Sequence, residues 1–114
     1  MGTPALATPI HLENVKSFAE LPEGGTVEQI AQAATLWLHT TVRAMCNRPE
    51  SVWIDVRITD RQLVFDFNVD PADYGCIVGK QGRNMRALRQ IFYAMGKSYR
   101  TLFELNLAPP AEVR

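Results

Sequence analysis

Histidine and cysteine are scarce in this sequence, two of each among 114 residues, and long apolar runs are missing. Cys46 and Cys76 lie far apart with no histidine cluster beside them, too few ligands at too wide a spacing for a zinc site. Each adjoins an apolar helical pattern, so the expectation is two small buried hydrophobes. No apolar run approaches the roughly 18 residues that a membrane helix needs. The opening residues, MGTPALATPIHLENVKSF, carry no basic stretch leading into an apolar one, which argues against a secretory signal. Leu6 stands where a myristoylated Gly2 would require Ser or Thr. These absences point to a cytoplasmic protein with no membrane contact.

Acidic residues are absent over one particular stretch. Residues 1–74 hold ten acidic and five basic side chains. From Gly75 to Phe103 there are six basic residues (Lys80, Arg83, Arg86, Arg89, Lys97 and Arg100) and no acidic one. A chain of zero net charge therefore gathers its cations in one segment, which suggests an anionic partner met on one face.

The length fits one domain. Residues 1–25, with Pro4, Pro9, Pro22, Gly24 and Gly25, read as a largely irregular extension in which ENVKSFAEL is a candidate short helix. Thr26 and Gln29 form a capping-box pattern, and Val27, Ala31, Ala34, Leu38, Val42 and Met45 then recur at helical spacing as far as Cys46. In SVWIDVRI, Val52, Ile54, Val56 and Ile58 alternate with Trp53, Asp55 and Arg57. In LVFDFNV, Leu63, Phe65, Phe67 and Val69 alternate with Val64, Asp66 and Asn68. Joined by the polar turn Thr59–Gln62, the two runs predict a hairpin buried on one face.

Asp70 as N-cap, Pro71 at the first helical position and Asp73 in the first turn predict a short helix ending at Gly79. A second helix follows, with Met85, Leu88, Ile91, Phe92 and Met95 as its apolar stripe and Gly96 as its stop. SYRTLFELNL reads as a third strand, with Thr101, Phe103, Leu105 and Leu107 on one face, and residues 108–114 as a tail. Helix, strand, strand, short helix, helix, strand is an α+β domain over residues 26–107, a three-stranded sheet covered by helices on one face.

The turn Gly79-Lys80-Gln81-Gly82 is the candidate site. A phosphate-binding P-loop needs four residues between its glycines and then Lys and Ser or Thr, whereas Gly75 and Gly79 enclose three, and Gln81 stands where the metal-binding hydroxyl belongs. Neither His11 nor His39 is joined by a carboxylate or nucleophile at a telling spacing, so no enzyme and no catalytic residue is expected. Nucleic-acid binding fits better: glycines let a phosphate approach the backbone, and the start of the following helix attracts anions. Basic residues lie on both sides of Gly82.

The stretch DPADYGCIVGKQGRNMRALRQI resembles the core of a KH domain, and the element order matches the type II topology, α-β-β-α-α-β. Among KH proteins it is most similar to the small single-KH RNA-binding proteins of bacteria, the KhpA family. The resemblance implies single-stranded RNA clamped across a narrow groove by the GxxG loop. It implies backbone contacts from Gly79, Lys80, Gln81 and Gly82, a groove floor from Ile77 and Val78, and an opposite wall from the second strand. Arg83 and Arg86 would extend the phosphate track by their spacing, while Arg89 lies too far along to join them. Cys76 departs from the basic residue that relatives often carry at that position. The resemblance further implies an RNA chaperone or post-transcriptional regulator affecting cell shape, with no cofactor, that pairs with itself or with a KhpB-like KH protein. A KH-fold protein-interaction module with weak or lost RNA binding is the alternative.

Overall fold

The computed structural model describes residues 25–60 and 62–109. The extension before Gly25 and the end of the tail, with the expectations placed on them, lie outside the described residues.

Helix α1 (Val27–Met45) begins at the predicted capping box. The Gln29 N–H donates to Thr26 Oγ1 at 3.1 Å, and the Thr26 N–H donates to Gln29 Oε1 at 2.9 Å. Two of the four amides that a helix start leaves unpaired are thereby satisfied. Ile30, Ala31, Ala34, Leu38 and Val42 form the buried stripe. Thr35 is buried among them, its hydroxyl donating to the Ala31 carbonyl at 2.8 Å, so no polar atom is stranded.

Strands β1 (Trp53–Thr59) and β2 (Gln62–Asn68) pair antiparallel, with Thr59 opposite Gln62 closing the hairpin. Strand β3 (Leu102–Leu107) lies parallel to β2, in the order β1-β2-β3. A parallel pair needs a crossover, which helices α2 (Tyr74–Val78) and α3 (Arg83–Lys97) supply.

Because β2 is central, its inward side chains Leu63, Phe65 and Phe67 are fully buried. Phe65 meets Phe92 of α3 edge-on at 4.8 Å between ring centroids, and Phe92 meets Phe103 of β3 at 5.6 Å. Centrality also buries Val64 and Asn68 on the expected polar face: Arg57 and Glu104 stand on either side of Val64 in the register.

Four expectations change. Ile58, at the hairpin end of an edge strand, and Ile91, on the flank of α3, are both exposed. Cys76 is exposed and Cys46 only half-buried, so neither is a core hydrophobe. Gly96 does not stop α3, which runs on to Lys97. Its backbone touches β3: an added Cβ would collide with the Thr101 carbonyl oxygen and come within 2.9 Å of Phe103 Cδ1. The chain reverses instead at Arg100, a non-glycine residue at φ 57°.

Candidate nucleic-acid interface

Asp70 accepts from the Ala72 N–H at 2.9 Å and Pro71 follows, giving one 3-10 turn before α2 starts at Tyr74. Asp73 does more than favour the helix start. It is 1% exposed, and its two carboxylate oxygens accept from the backbone N–H groups of Asn47 (3.0 Å) and Arg48 (2.9 Å). The segment leaving α1 is thus tied to the base of α2, which fixes α2 against the domain.

The loop at the end of α2 holds three departures from ordinary backbone within four residues. Gly79 lies at φ 80°, ψ 170°, Gln81 at φ 56°, ψ 27°, and Gly82 at φ 76°, ψ 16°. The conformation at Gly79 is close to glycine-only, and the Gly79 and Gly82 pair meets the cost without a Cβ. Gln81 has no such freedom, and its carbonyl is held by Arg86, whose Nη1 donates to it at 2.6 Å. On the other side Asn84 Nδ2 donates to the Cys76 carbonyl at 2.8 Å, capping α2 across the loop. An added Cβ at Gly79 would lie 2.7 Å from Asn84 Cγ, so the asparagine side chain fills the space that the glycine leaves. Asn84 was not among the candidate residues. Its signal, an amide two residues after the second glycine, has no meaning until α2 and α3 are known to meet.

The loop is therefore a braced turn with Lys80 and Gln81 exposed at its tip and Arg83 exposed at the start of α3. No side chain caps that helix start, and no acidic residue lies in its first turn. Lys80, Arg83 and Arg86 instead surround the end that already attracts anions. Val78 is half-buried beside the loop. Ile77, on the same helix, is fully buried. β2 is hydrogen-bonded on both edges, and among the described residues β3 has no strand on its outer edge. There Arg89 donates from Nε to the Leu105 carbonyl at 3.0 Å.

Elsewhere the titratable groups describe burial more than chemistry. The pKa of His39 is lowered, chiefly by burial and then by the Arg43 charge. Burial, then Asp73, Cys76 and Asp70, pushes the Cys46 thiol up to about 11. Among the described residues no group of three or more His, Cys, Asp or Glu is placed to hold a metal, and no helix is long and apolar enough to cross a membrane.

A GxxG turn joining two helices across a mixed three-stranded sheet is the arrangement of a KH domain. The family model for the KH domain of KhpA and KhpB matches residues 35–107, so the chain belongs to the KhpA/KhpB KH-domain family. Its relatives include the RNA-binding protein KhpA of Aquifex aeolicus, 46% identical over 57 residues, half of this chain and 72% of that one. KhpA of Listeria monocytogenes is 38% identical over 55 residues (48% and 72%). KhpA of Halalkalibacterium halodurans is 30% identical over 64 residues (56% and 84%). No solved structure matches.

Proposed function

We propose that this protein binds single-stranded RNA, gripping the sugar–phosphate backbone at Gly79-Lys80-Gln81-Gly82, with Arg83 and Arg86 extending the positive track. The observation that carries the reading is the braced loop. A backbone held in three strained conformations, with cations at an uncapped helix start and no acid in its first turn, is organised for an anion before the anion arrives. The relatives named RNA-binding protein KhpA support the same reading.

Neutralising two to four phosphates makes the binding modest and strongly salt-dependent, with log K falling by about 0.7 per phosphate for each tenfold rise in salt. A cytoplasmic RNA chaperone or post-transcriptional regulator, without enzymatic activity, fits this weak and general grip. Pairing with a second copy or with a KhpB-like protein belongs to the same proposal. Exposed Ile91, on the flank of α3 away from Arg89, favours a protein contact that leaves the RNA face open.

Fluorescence anisotropy with a short single-stranded RNA tests the clamp by comparing the wild type with the double variant Lys80→Asp/Gln81→Asp. The expected result is at least a tenfold loss of affinity with an unchanged circular dichroism spectrum. Equal binding by the two proteins removes the loop from the mechanism and leaves the protein-interaction reading in its place.

A further inference from the structure

Cys46 and Cys76, far apart in the chain, meet where α1 ends against α2. Cys46 is the C-cap of α1, and Cys76 lies in the middle of α2. Cys76 Sγ donates to the Met45 carbonyl at 3.6 Å, and that carbonyl belongs to the peptide bond joining Met45 to Cys46. One sulfur therefore lies against the backbone of the other cysteine. Charge shows the same nearness: after burial and the Asp73 carboxylate, a Cys76 thiolate is the next cause that pushes the Cys46 thiol up. Both are free thiols.

Their surroundings give the two sulfurs different parts. Cys76 is exposed and can meet a reactant from solution. Cys46 is half-buried beside Asp73, which keeps its proton in place. Cys76 also bears on the loop. Its carbonyl is the acceptor that Asn84 Nδ2 holds at 2.8 Å, so one residue carries both the exposed sulfur and the brace of the loop. Its side chain points back to α1 while its carbonyl reaches α3.

We propose that Cys76 is an oxidation site for peroxide, that Cys46 resolves it as a disulfide, and that the bridge weakens the grip of the loop on RNA. Only the last step rests on the RNA-binding reading above. The Cys76 sulfur, as thiolate, attacks one oxygen of hydrogen peroxide. The O–O bond breaks, hydroxide leaves and takes up the thiol proton as water, and Cys76 becomes a sulfenic acid. The Cys46 sulfur then attacks the Cys76 sulfur. The S–S bond forms, the S–O bond breaks, and the departing hydroxide leaves as water with the Cys46 proton. Two thiols lose two electrons in all, and one peroxide becomes two waters. Proximity makes the second step intramolecular, which offsets the small thiolate fraction of Cys46. Bonding to Cys46 takes Cys76 Sγ off the Met45 carbonyl and draws α2 towards α1. The Asn84 bond lies on the opposite side, and a shift of about 1 Å takes it out of hydrogen-bonding range.

The test treats the full chain with hydrogen peroxide, removes the excess with catalase, and divides the sample. Peptide mass spectrometry without reductant should find Cys46 and Cys76 linked within one chain, two hydrogens lighter than the separate thiols. Cys46→Ala should stop at the sulfenic acid, which dimedone traps at Cys76. Anisotropy with a fluorescent uridine heptamer should show oxidised wild type binding at least fivefold more weakly than reduced, with recovery in dithiothreitol. Peroxide-treated Cys46→Ala should stay within twofold of its untreated form. Absence of the linked peptide, or linkage only between two chains, overturns the bridge. A bridge that leaves affinity within twofold overturns its effect on the loop, as does an equal loss in Cys46→Ala. Failure of the reduced wild type to bind the heptamer overturns the control of RNA together with the RNA-binding reading, while the bridge stands on its mass.

Discussion

Asn84 and Gly79 occupy one space: the asparagine side chain, reaching back to cap α2 at the Cys76 carbonyl, lies where a glycine Cβ would have been. The second helix thereby holds the end of the first, and the loop between them is stretched over that contact. Asn84→Ala should cost about 1 kcal/mol in urea unfolding, the worth of one hydrogen bond. It should also weaken RNA several-fold in anisotropy by loosening the loop. Unchanged affinity would show that the loop holds its shape without the brace.

Gly79→Ala should cost about 2–3 kcal/mol, because the backbone at φ 80°, ψ 170° is nearly forbidden to alanine. Removing Asn84 as well should not rescue it, since the Asn84 backbone N and Cβ also lie within 2.9 Å of the added carbon. A double variant as stable as Asn84→Ala alone would show that the conflict is with the side-chain amide only.

At Gly96 two effects oppose each other. Alanine is favoured over glycine inside a helix by about 1 kcal/mol. Overpacking typically costs about 1–3 kcal/mol, and here the obstacle is the Thr101 backbone carbonyl together with the Phe103 ring. Gly96→Ala should therefore destabilise the domain and lower its melting temperature. A rise would mean that the contact between α3 and β3 relaxes freely.

Asp73→Ala would leave the N–H groups of Asn47 and Arg48 without their acceptor and should cost about 2–4 kcal/mol by urea unfolding. Asp73→Asn retains one acceptor oxygen and should fall between the two. A loss below about 0.5 kcal/mol in the alanine variant would mean that water replaces the carboxylate without penalty.

The two cysteines should separate by reactivity. The Cys46 thiol, raised to about 11, is nearly all protonated at pH 8, while Cys76 is exposed. Mass spectrometry after brief iodoacetamide treatment at pH 8 should find Cys76 alkylated at least tenfold faster. The sign of the linked stability follows: the fold holds the Cys46 proton more tightly than the unfolded chain, so stability falls as pH rises from about 9 towards 11. In Cys46→Ala that part of the alkaline fall should vanish from the urea midpoint measured against pH.

Much of this fold follows from local chemistry. Thr26 with Gln29, Asp70 with Pro71, and the alternation on either side of Thr59–Gln62 each act within a few residues, and each stands where the sequence places it. The glycines at 79 and 82 and the cations around them are local in the same way. What escaped was decided across the chain. Val64 proved buried on the outer face, because inside and outside depend on which strand is central. Gly96 reads as a helix stop and is a packing surface for β3. Asp73, Asn84 and Arg89 act on backbone groups 25, 8 and 16 residues away. Caps, turns and periodicity are short-range and survive in the linear order of residues. The partners of a carboxylate, an amide or a guanidinium are chosen by parallel pairing and helix packing, which bring together residues that no local pattern joins.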